Sequence, residues 1–282
     1  MDAQLKQWSE IAGLPPEKIS LAHAALLIAQ DAYPDLDAAA YIARLDGMAQ
    51  TLRHRLRADI SVADKIKALN HYLYDELGFA GNNADYYDPR NSYLNDVIDR
   101  KLGIPISLSV LYIEIGRRLG LKLAGVSFPG HFLVKCTVRE GAIILDPYAK
   151  GASLGIKDLQ LKLAALGVLK AGAEVAPESV MPMLASADHK EILARMLRNL
   201  KAIFLQKRDH ARALGVVERI VLLAPDADEE IRDRGIIYQE LECFRAALSD
   251  LQRYLELRPR AQDARVIAGR IVELKALSAR LN

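Results

Sequence analysis

The C-terminal third of the chain carries a pattern that returns after 34 residues, and this spacing limits the possible folds more than any other feature. The matching positions are Ala213, Leu214, Leu223 and Pro225 in one copy, and Ala247, Leu248, Leu257 and Pro259 in the next. A period of this length is typical of two helices joined by a turn, stacked on the next pair. Residues 179–282 are therefore predicted to form an all-α domain of two repeats and a closing helix, Asp263–Leu277.

The register is that of a tetratricopeptide repeat. Phe204 and Gly235 fall where such a repeat has packing residues, whereas Lys201 and Arg234 place charges where it has a small or a large apolar residue. Both copies are therefore degenerate. A basic set could bind an acidic peptide or simply form a solvated helix face: Arg195, Arg198, Lys201, Lys207 and Arg208.

The first 178 residues change from helical to strand periodicity. Apolar residues recur every three to four positions between residues 16 and 77, and a further helix is predicted over Ser107–Leu119, closed by Gly120. Alternating or continuous apolar runs then predict three antiparallel strands, Leu121–Val126, Phe132–Val138 and Ala142–Leu145. The result is an α+β prediction, with helices packed on an antiparallel sheet. The passage Ala171–Met183 is predicted to be a linker between domains 1–178 and 179–282.

Composition sets limits on function. The 282-residue chain has a formal net charge of +2 with both signs well mixed, so no nucleic-acid partner is expected. No apolar run is long enough for a membrane helix, the N-terminus lacks a signal-peptide pattern, and a cytoplasmic protein is expected. Cys136 and Cys243 lie far apart, so neither a disulfide nor a zinc site is predicted. No metal and no cofactor are expected.

Three short segments carry a family resemblance: Tyr86–Val97, Gly103–Gly120 and Phe128–Val134. They closely resemble the bacterial SirB-one family, whose members are described as a transglutaminase-like domain followed by tetratricopeptide repeats. The resemblance covers nearly the whole chain. It implies a transglutaminase-like (papain-like) core, in which a helix opens with a nucleophilic cysteine and a sheet carries histidine and then aspartate.

The resemblance assigns His131 as the general base and Asp146 as the residue that orients it, but no cysteine stands where the nucleophile belongs. That place falls on Pro105, and the first hydroxyl on the helix is Ser107. Ser107 or Ser109 could replace the thiol if His131 came within hydrogen-bonding distance. Alternatively, Ser107 caps the helix and Ser109 is a small packing residue. Catalytic candidates are thus His131, Asp146 and Ser107, vestigial or hypothetical.

Two functions remain open at this point. The first is a non-catalytic protein that binds a protein or peptide through its cleft and helical repeats. The second is a cysteine-independent hydrolase or acyltransferase that uses Ser107, or a water, with His131 and Asp146. Six residues are expected to line the cleft: Asn91, Ser92, Asn95, Pro105, Ser109 and Tyr148.

Overall fold

The computed structural model describes residues 3–168 and 177–280. The chain divides into two compact units. The mixed unit is Pro15–Met196, and the repeat unit consists of Met1–Leu14 and Leu197–Asn282. The first helix, α1 (Ala3–Ala12), therefore belongs to the repeat unit. The domain limits expected from sequence, 1–178 and 179–282, stay a prediction.

The mixed unit combines helices with a four-stranded antiparallel sheet in the order β3-β4-β5-β6. Its helices are α2 (Leu21–Ala29), α3 (Ala38–Arg55), α4 (Val62–Asn70), α5 (Leu94–Arg100), α6 (Pro105–Arg118), α7 (Ile156–Ala165) and α8 (Pro177–Val180). Its strands are the short parallel pair β1 (Ala80–Gly81) and β2 (Leu102–Gly103), then β3 (Leu123–Val126), β4 (Leu133–Val138), β5 (Gly141–Asp146) and β6 (Ala152–Leu154). The predicted α+β class is confirmed, and β6 is a strand that the sequence patterns did not indicate.

Helix α6 is the central element of the mixed unit. All of its residues from Pro105 to Gly116 are buried, because the helix packs against both the sheet and the surrounding helices. It begins at Pro105, two residues earlier than predicted, since the fixed φ of proline suits a first helical position. Ser107 is consequently not the N-cap, which is Ile104.

The sheet places His131 and Asp146 at one end of adjacent strands. Val134 pairs with Leu145 in the β4–β5 ladder, so the residues just before β4 lie beside the end of β5. His131 precedes β4, and Asp146 is the last residue of β5. Cys136 is fully buried within β4.

The second half of the predicted linker packs into the core instead. Val180 and Leu184 belong to a buried apolar cluster that includes Phe128, Leu159 and Leu163. Residues 171–176 of that predicted linker lie outside the described part of the chain. Val180 and Leu184 are four residues apart and both contribute side chains to this cluster. The prolines at positions 177 and 182 had suggested a linker instead.

The repeat unit has the predicted helical hairpins. After α9 (His189–Gln206) come α10 (His210–Leu223), α11 (Asp228–Glu240), α12 (Phe244–Leu257) and α13 (Ala264–Arg280). Both ends of α12 lie 34 residues after those of α10, which confirms the period. Ala213 and Ala247, the matched small residues, are both fully buried.

Ion pairs explain why the two repeats depart from the expected residue types. Lys201 Nζ lies 2.7 Å from carboxylate oxygens of both Glu230 and Asp233. The guanidinium of Arg234 donates to both oxygens of Asp250, at 2.6 and 2.8 Å. Buried charges are tolerated when paired and hydrogen-bonded in this way. Lys201 therefore forms its ion pairs within the repeat unit. Arg198 does the same, because its Nε lies 2.7 Å from Glu230 Oε1.

Candidate functional site

The N-terminal turn of α6 holds the hydroxyl that was the candidate nucleophile. Ser107 Oγ donates to the carbonyl oxygen of Asn91 at 2.6 Å, and the backbone N–H of Ile104 donates to Ser107 Oγ at 3.0 Å. It also lies 3.2 Å from the Ile104 carbonyl oxygen. Ser107 is fully buried and makes no hydrogen bond to His131. Its hydroxyl fastens the start of the helix to the preceding segment.

His131 and Asp146 are in direct contact. The Nε2 atom of His131 lies 2.9 Å from both carboxylate oxygens of Asp146. An ionised carboxylate can only accept, so this bond fixes the ring proton on Nε2. Within the part of the chain that the structure describes, Nδ1 makes no hydrogen bond. The His131 side chain is 16% exposed, whereas that of Asp146 is 1% exposed.

Besides His131, the carboxylate of Asp146 contacts a cationic side chain, that of Lys162 in α7. Lys162 Nζ lies 3.0 Å from Asp146 Oδ2, and the backbone N–H groups of Tyr148 and Ala149 donate to Asp146 Oδ1 at 3.1 and 3.2 Å. Burial alone raises the pKa of Asp146, but the hydrogen bonds and charges of His131 and Lys162 outweigh burial and lower it. The carboxylate is therefore ionised and fully partnered.

Tyrosines surround this group. The rings of Tyr148 and His131 meet edge to face, with centroids 6.1 Å apart, and the Tyr148 hydroxyl donates to Asn83 at 2.6 Å. Tyr74 is buried, with its hydroxyl unpartnered in the described part of the chain. Burial, followed by the charges of Tyr112 and Asp146, raises the pKa of Tyr74 well above its ordinary value. Tyr74 is thus a neutral phenol in the interior near Asp146.

Next to Tyr148 is an exposed aromatic loop. Tyr86 and Tyr87 are 41% and 59% exposed, and their rings meet edge to face with centroids 5.4 Å apart. Burial, together with the charges of Tyr148 and then Tyr87, raises the pKa of Tyr86 despite the nearby cation of Arg195. Tyr86 and Tyr87 thus place two aromatic rings side by side on the surface of this loop.

Buried amide side chains fix the backbone of that loop. Asn91 Nδ2 donates to the carbonyl oxygens of Asp85 and Tyr86, at 2.7 and 3.2 Å. Asn82 donates to Asn91 Oδ1 at 3.0 Å and accepts the N–H of Asp85 at 3.1 Å. Asn91 therefore has a structural task that links the loop to the start of α6.

Of the six side chains expected to line a cleft, Tyr148 alone is partly exposed. The other five are buried, namely Asn91, Ser92, Asn95, Pro105 and Ser109. The Oγ atoms of Ser92 and Ser109 and Oδ1 of Asn95 have no hydrogen-bond partner among the described residues. The structure brings His131, Asp146 and Tyr148 together and leaves Ser107 bonded elsewhere.

Sequence reasoning missed Lys162 and Tyr74. Lys162 lies between Leu159 and Leu163 on the buried face of α7, and this position was the available signal. A lysine on the apolar stripe of a helix requires a counter-charge, although the sequence does not say which one. Among the described residues, no group of three or more His, Cys, Asp or Glu side chains could hold a metal ion. Nor is any helix of that part long and apolar enough to cross a membrane.

The mixed unit and the helical repeats that follow it form a transglutaminase-like domain with tetratricopeptide repeats, as comparisons with known proteins show. Residues 39–198 match the transglutaminase-like superfamily and residues 200–271 match the tetratricopeptide repeat. The chain belongs to the transglutaminase-like superfamily, within the SirB-like family of such proteins with repeats.

Relatives are found in bacteria and in animals. The chain is 41% identical to a UPF0162 protein of Xylella fastidiosa (strain Temecula1) over 96% of this chain and 95% of that protein. It is 30% identical to protein SirB1 of Salmonella typhimurium, with 81% of each chain covered. Human F-box only protein 21 is 36% identical over 49% of this chain, which corresponds to 21% of that protein. No solved structure matches.

Proposed function

We propose that the protein is a non-catalytic member of its superfamily that binds another protein or a peptide through the face around His131 and through its helical repeats. The observation that carries this proposal is the state of Ser107. Its hydroxyl is buried and bonded to Asn91 and Ile104, and it makes no hydrogen bond to His131. A serine nucleophile needs its base within hydrogen-bonding distance, and Pro105 offers no nucleophile at all.

Two surfaces support a binding role. In the mixed unit, the rings of Tyr86 and Tyr87 are exposed on a backbone that Asn91 holds in place. A preorganised aromatic surface loses little conformational entropy when it binds. In the repeat unit, Val266 and Val272 are 63% and 69% exposed on α13. Helical repeats commonly use their extended surfaces to bind protein segments.

Affinity capture with the full chain tests the proposal. The wild-type protein should retain a defined partner from a bacterial lysate, and the purified partner should then give a measurable Kd. We expect Tyr87→Ala to weaken that Kd by about tenfold if the aromatic loop is the contact. Val272→Asp tests the repeat unit in the same way, and Val62→Asp, at another exposed valine, is the matched control.

A second function is favoured by one observation, the unbonded Nδ1 of His131. A ring held on Nε2 by Asp146 could use Nδ1 as a general base for a water that attacks an ester or amide. This hydrolase would lose activity in His131→Ala while its Tm stayed near the wild-type value. Hydrolysis of an ester and peptide panel that depends on His131 would overturn the non-catalytic proposal, and no hydrolysis by the wild type would support it.

A further inference from the structure

The closing helix of the repeat unit, α13, has an exposed face that is apolar at two positions. The helix packs against α12, and its residues Ile267, Ile271 and Leu274 are buried. Val266 and Val272 lie on the other face and are 63% and 69% exposed. The last helix of a repeat array needs a polar outer face for solubility, since no further repeat covers it. Two exposed valines at this place therefore indicate a surface that another helix covers.

The residues of this exposed face are arranged symmetrically about Gly269. Val266 and Val272 stand three residues before and three residues after it. Arg265 and Glu273 stand four residues before and four residues after it, and their charges are opposite. Residues three and four positions from a central residue lie on its face of a helix. Arg265 and Glu273 are both exposed, and neither forms an ion pair among the described residues.

Gly269 leaves open space at the centre of the face. A Cβ atom there would meet nothing within 4 Å, whereas a Cβ at Gly235 would lie 2.8 Å from Leu251. Packing inside the repeat unit therefore requires a glycine at position 235 but not at position 269. Glycine is disfavoured in the interior of a helix relative to alanine, and it allows another backbone to approach closely. Its place between the two valines suits close contact with a second helix.

We propose that this face of α13 binds a second copy of the chain, as an antiparallel pair of helices whose two-fold axis passes beside Gly269. A two-fold interface uses the same patch on both subunits, so the patch must be complementary to itself. In the antiparallel pair, Val266 lies level with Val272 of the second copy. Arg265 lies level with Glu273 of the second copy, so opposite charges meet at both ends. A parallel pair would instead place like charges level with each other.

The proposal rests on the binding role proposed for the repeat unit, and it names a second copy as the occupant of this face. The other charged side chains of α13 leave the face clear. Arg270 donates to Oε1 of Gln239 in α11 at 2.9 Å, and is thus engaged within the unit. Lys275 lies about 120° around the helix from Gly269, outside the face. Arg265 and Glu273 therefore determine the orientation of the pair.

Sedimentation velocity of the purified full chain measures this association. The sedimentation coefficient should rise with concentration towards that of a dimer. The expected Kd is on the order of 10–100 μM, because one pair of helices is smaller than a standard stable interface. Gly269→Leu should weaken the dimer by about tenfold or more, since its side chain fills the open centre of the face. Gly47→Leu is the matched control, because a Cβ at Gly47 in α3 also meets nothing within 4 Å.

Reversal of the charges tests the antiparallel orientation. Arg265→Glu brings two glutamates together at each end of the pair, and Glu273→Arg brings two arginines together. Each variant alone should dimerise about tenfold more weakly than the wild type. An equal mixture of the two variants places opposite charges at both ends, so it should form a mixed dimer as tightly as the wild type does. The double variant Arg265→Glu/Glu273→Arg should likewise regain self-association, and a loss caused by misfolding would not be regained in this way.

The outcomes separate this inference from the proposed function. A wild-type chain that stays monomeric up to about 500 μM would overturn the inference, and so would charge variants that associate no better when mixed. If the purified chain were monomeric and Val272→Asp abolished the capture of a different protein, the face would belong to that protein. The inference would then fail while the binding role of the repeat unit stood. A dimer that follows the charge variants would support the inference, even if no other protein were captured.

Discussion

At the scale of single residues, a hydroxyl or a carboxylate acquires its role from the groups it contacts. Ser107 was a candidate nucleophile because it is the first hydroxyl on the helix that follows Gly103. In the structure it accepts the N–H of Ile104 and donates to Asn91. Asp146, in contrast, is bonded to His131 and also to Lys162. The first residue stabilises a helix start, and the second organises a charged group.

The lowered pKa of Asp146 predicts how the free energy of unfolding depends on pH. The charges and hydrogen bonds of His131 and Lys162 overcome the effect of burial and lower the pKa of Asp146 in the folded protein. A carboxyl with a lowered folded pKa stabilises the fold above its unfolded pKa, near 3.9, and loses that contribution as the pH falls towards the folded pKa. The unfolding free energy of the wild type should therefore exceed that of Asp146→Asn at pH 7, and the difference should shrink below about pH 4.

Urea unfolding at a series of pH values measures that difference. Asp59→Asn is a matched control, because Asp59 pairs with Arg57 on the exposed surface, and it should change stability little at any pH. A stability difference for Asp146→Asn that is constant from pH 7 to pH 3 would contradict the linkage.

At the scale of elements, the repeat helices show how a short sequence pattern is realised as close packing. The 34-residue period gave the right number and order of helices, because it reports which positions are buried. It could not predict the ion pairs of Lys201 and Arg234, since their partners lie on other parts of the array. At both of these positions, the charged residue that departs from the repeat pattern forms an ion pair with an acidic side chain.

Gly235 provides a prediction at this scale. A Cβ atom at Gly235 would lie 2.8 Å from Leu251 Cδ2 and 2.9 Å from its Cγ, and Leu251 is fully buried. Gly235→Ala should therefore destabilise the repeat unit by about 1–3 kcal/mol, although alanine favours helix formation. A Cβ at Gly269 in α13 would meet nothing within 4 Å. Gly269→Ala should thus stabilise the protein by about 0.5–1 kcal/mol.

Urea denaturation of both variants decides between packing and propensity. Opposite signs for the two substitutions are the expected result. If Gly235→Ala were as stabilising as Gly269→Ala, α11 and α12 would be farther apart than the structure places them.

At the scale of the whole molecule, the feature hardest to predict from the sequence was which segments of the chain form each of the two units. Helix α1 belongs to the repeat unit, although the mixed unit separates it from α9 along the chain. Trp8 is 1% exposed, and its indole N–H donates to the carbonyl oxygen of Arg219 in α10 at 3.0 Å. Removing the C-terminal helices would therefore expose α1 as well, which is why point variants are preferred for the binding test.

Trp8 is the sole tryptophan of the chain and reports on this arrangement. Trp8→Ala should lower the unfolding free energy by about 3–5 kcal/mol, since it removes a large buried side chain and leaves a cavity against α10. Leu14→Ala, at a 39% exposed position near the end of the same segment, should cost far less. Circular dichroism during urea unfolding provides the comparison. Equal losses in the two variants would contradict the docking of α1 on α10.

The sequence by itself determined the α+β and repeat architecture and the spacing that sets His131 beside Asp146. It could do so because helix and strand periodicities are local, and a hairpin between adjacent strands brings nearby residues together. Only the tertiary structure decided that Ser107 bonds to Asn91, that Lys162 joins Asp146, and that α1 belongs with the repeats. Each of these depends on how a helix packs against another element, and local periodicity carries no information about which side chain of that element then supplies the partner.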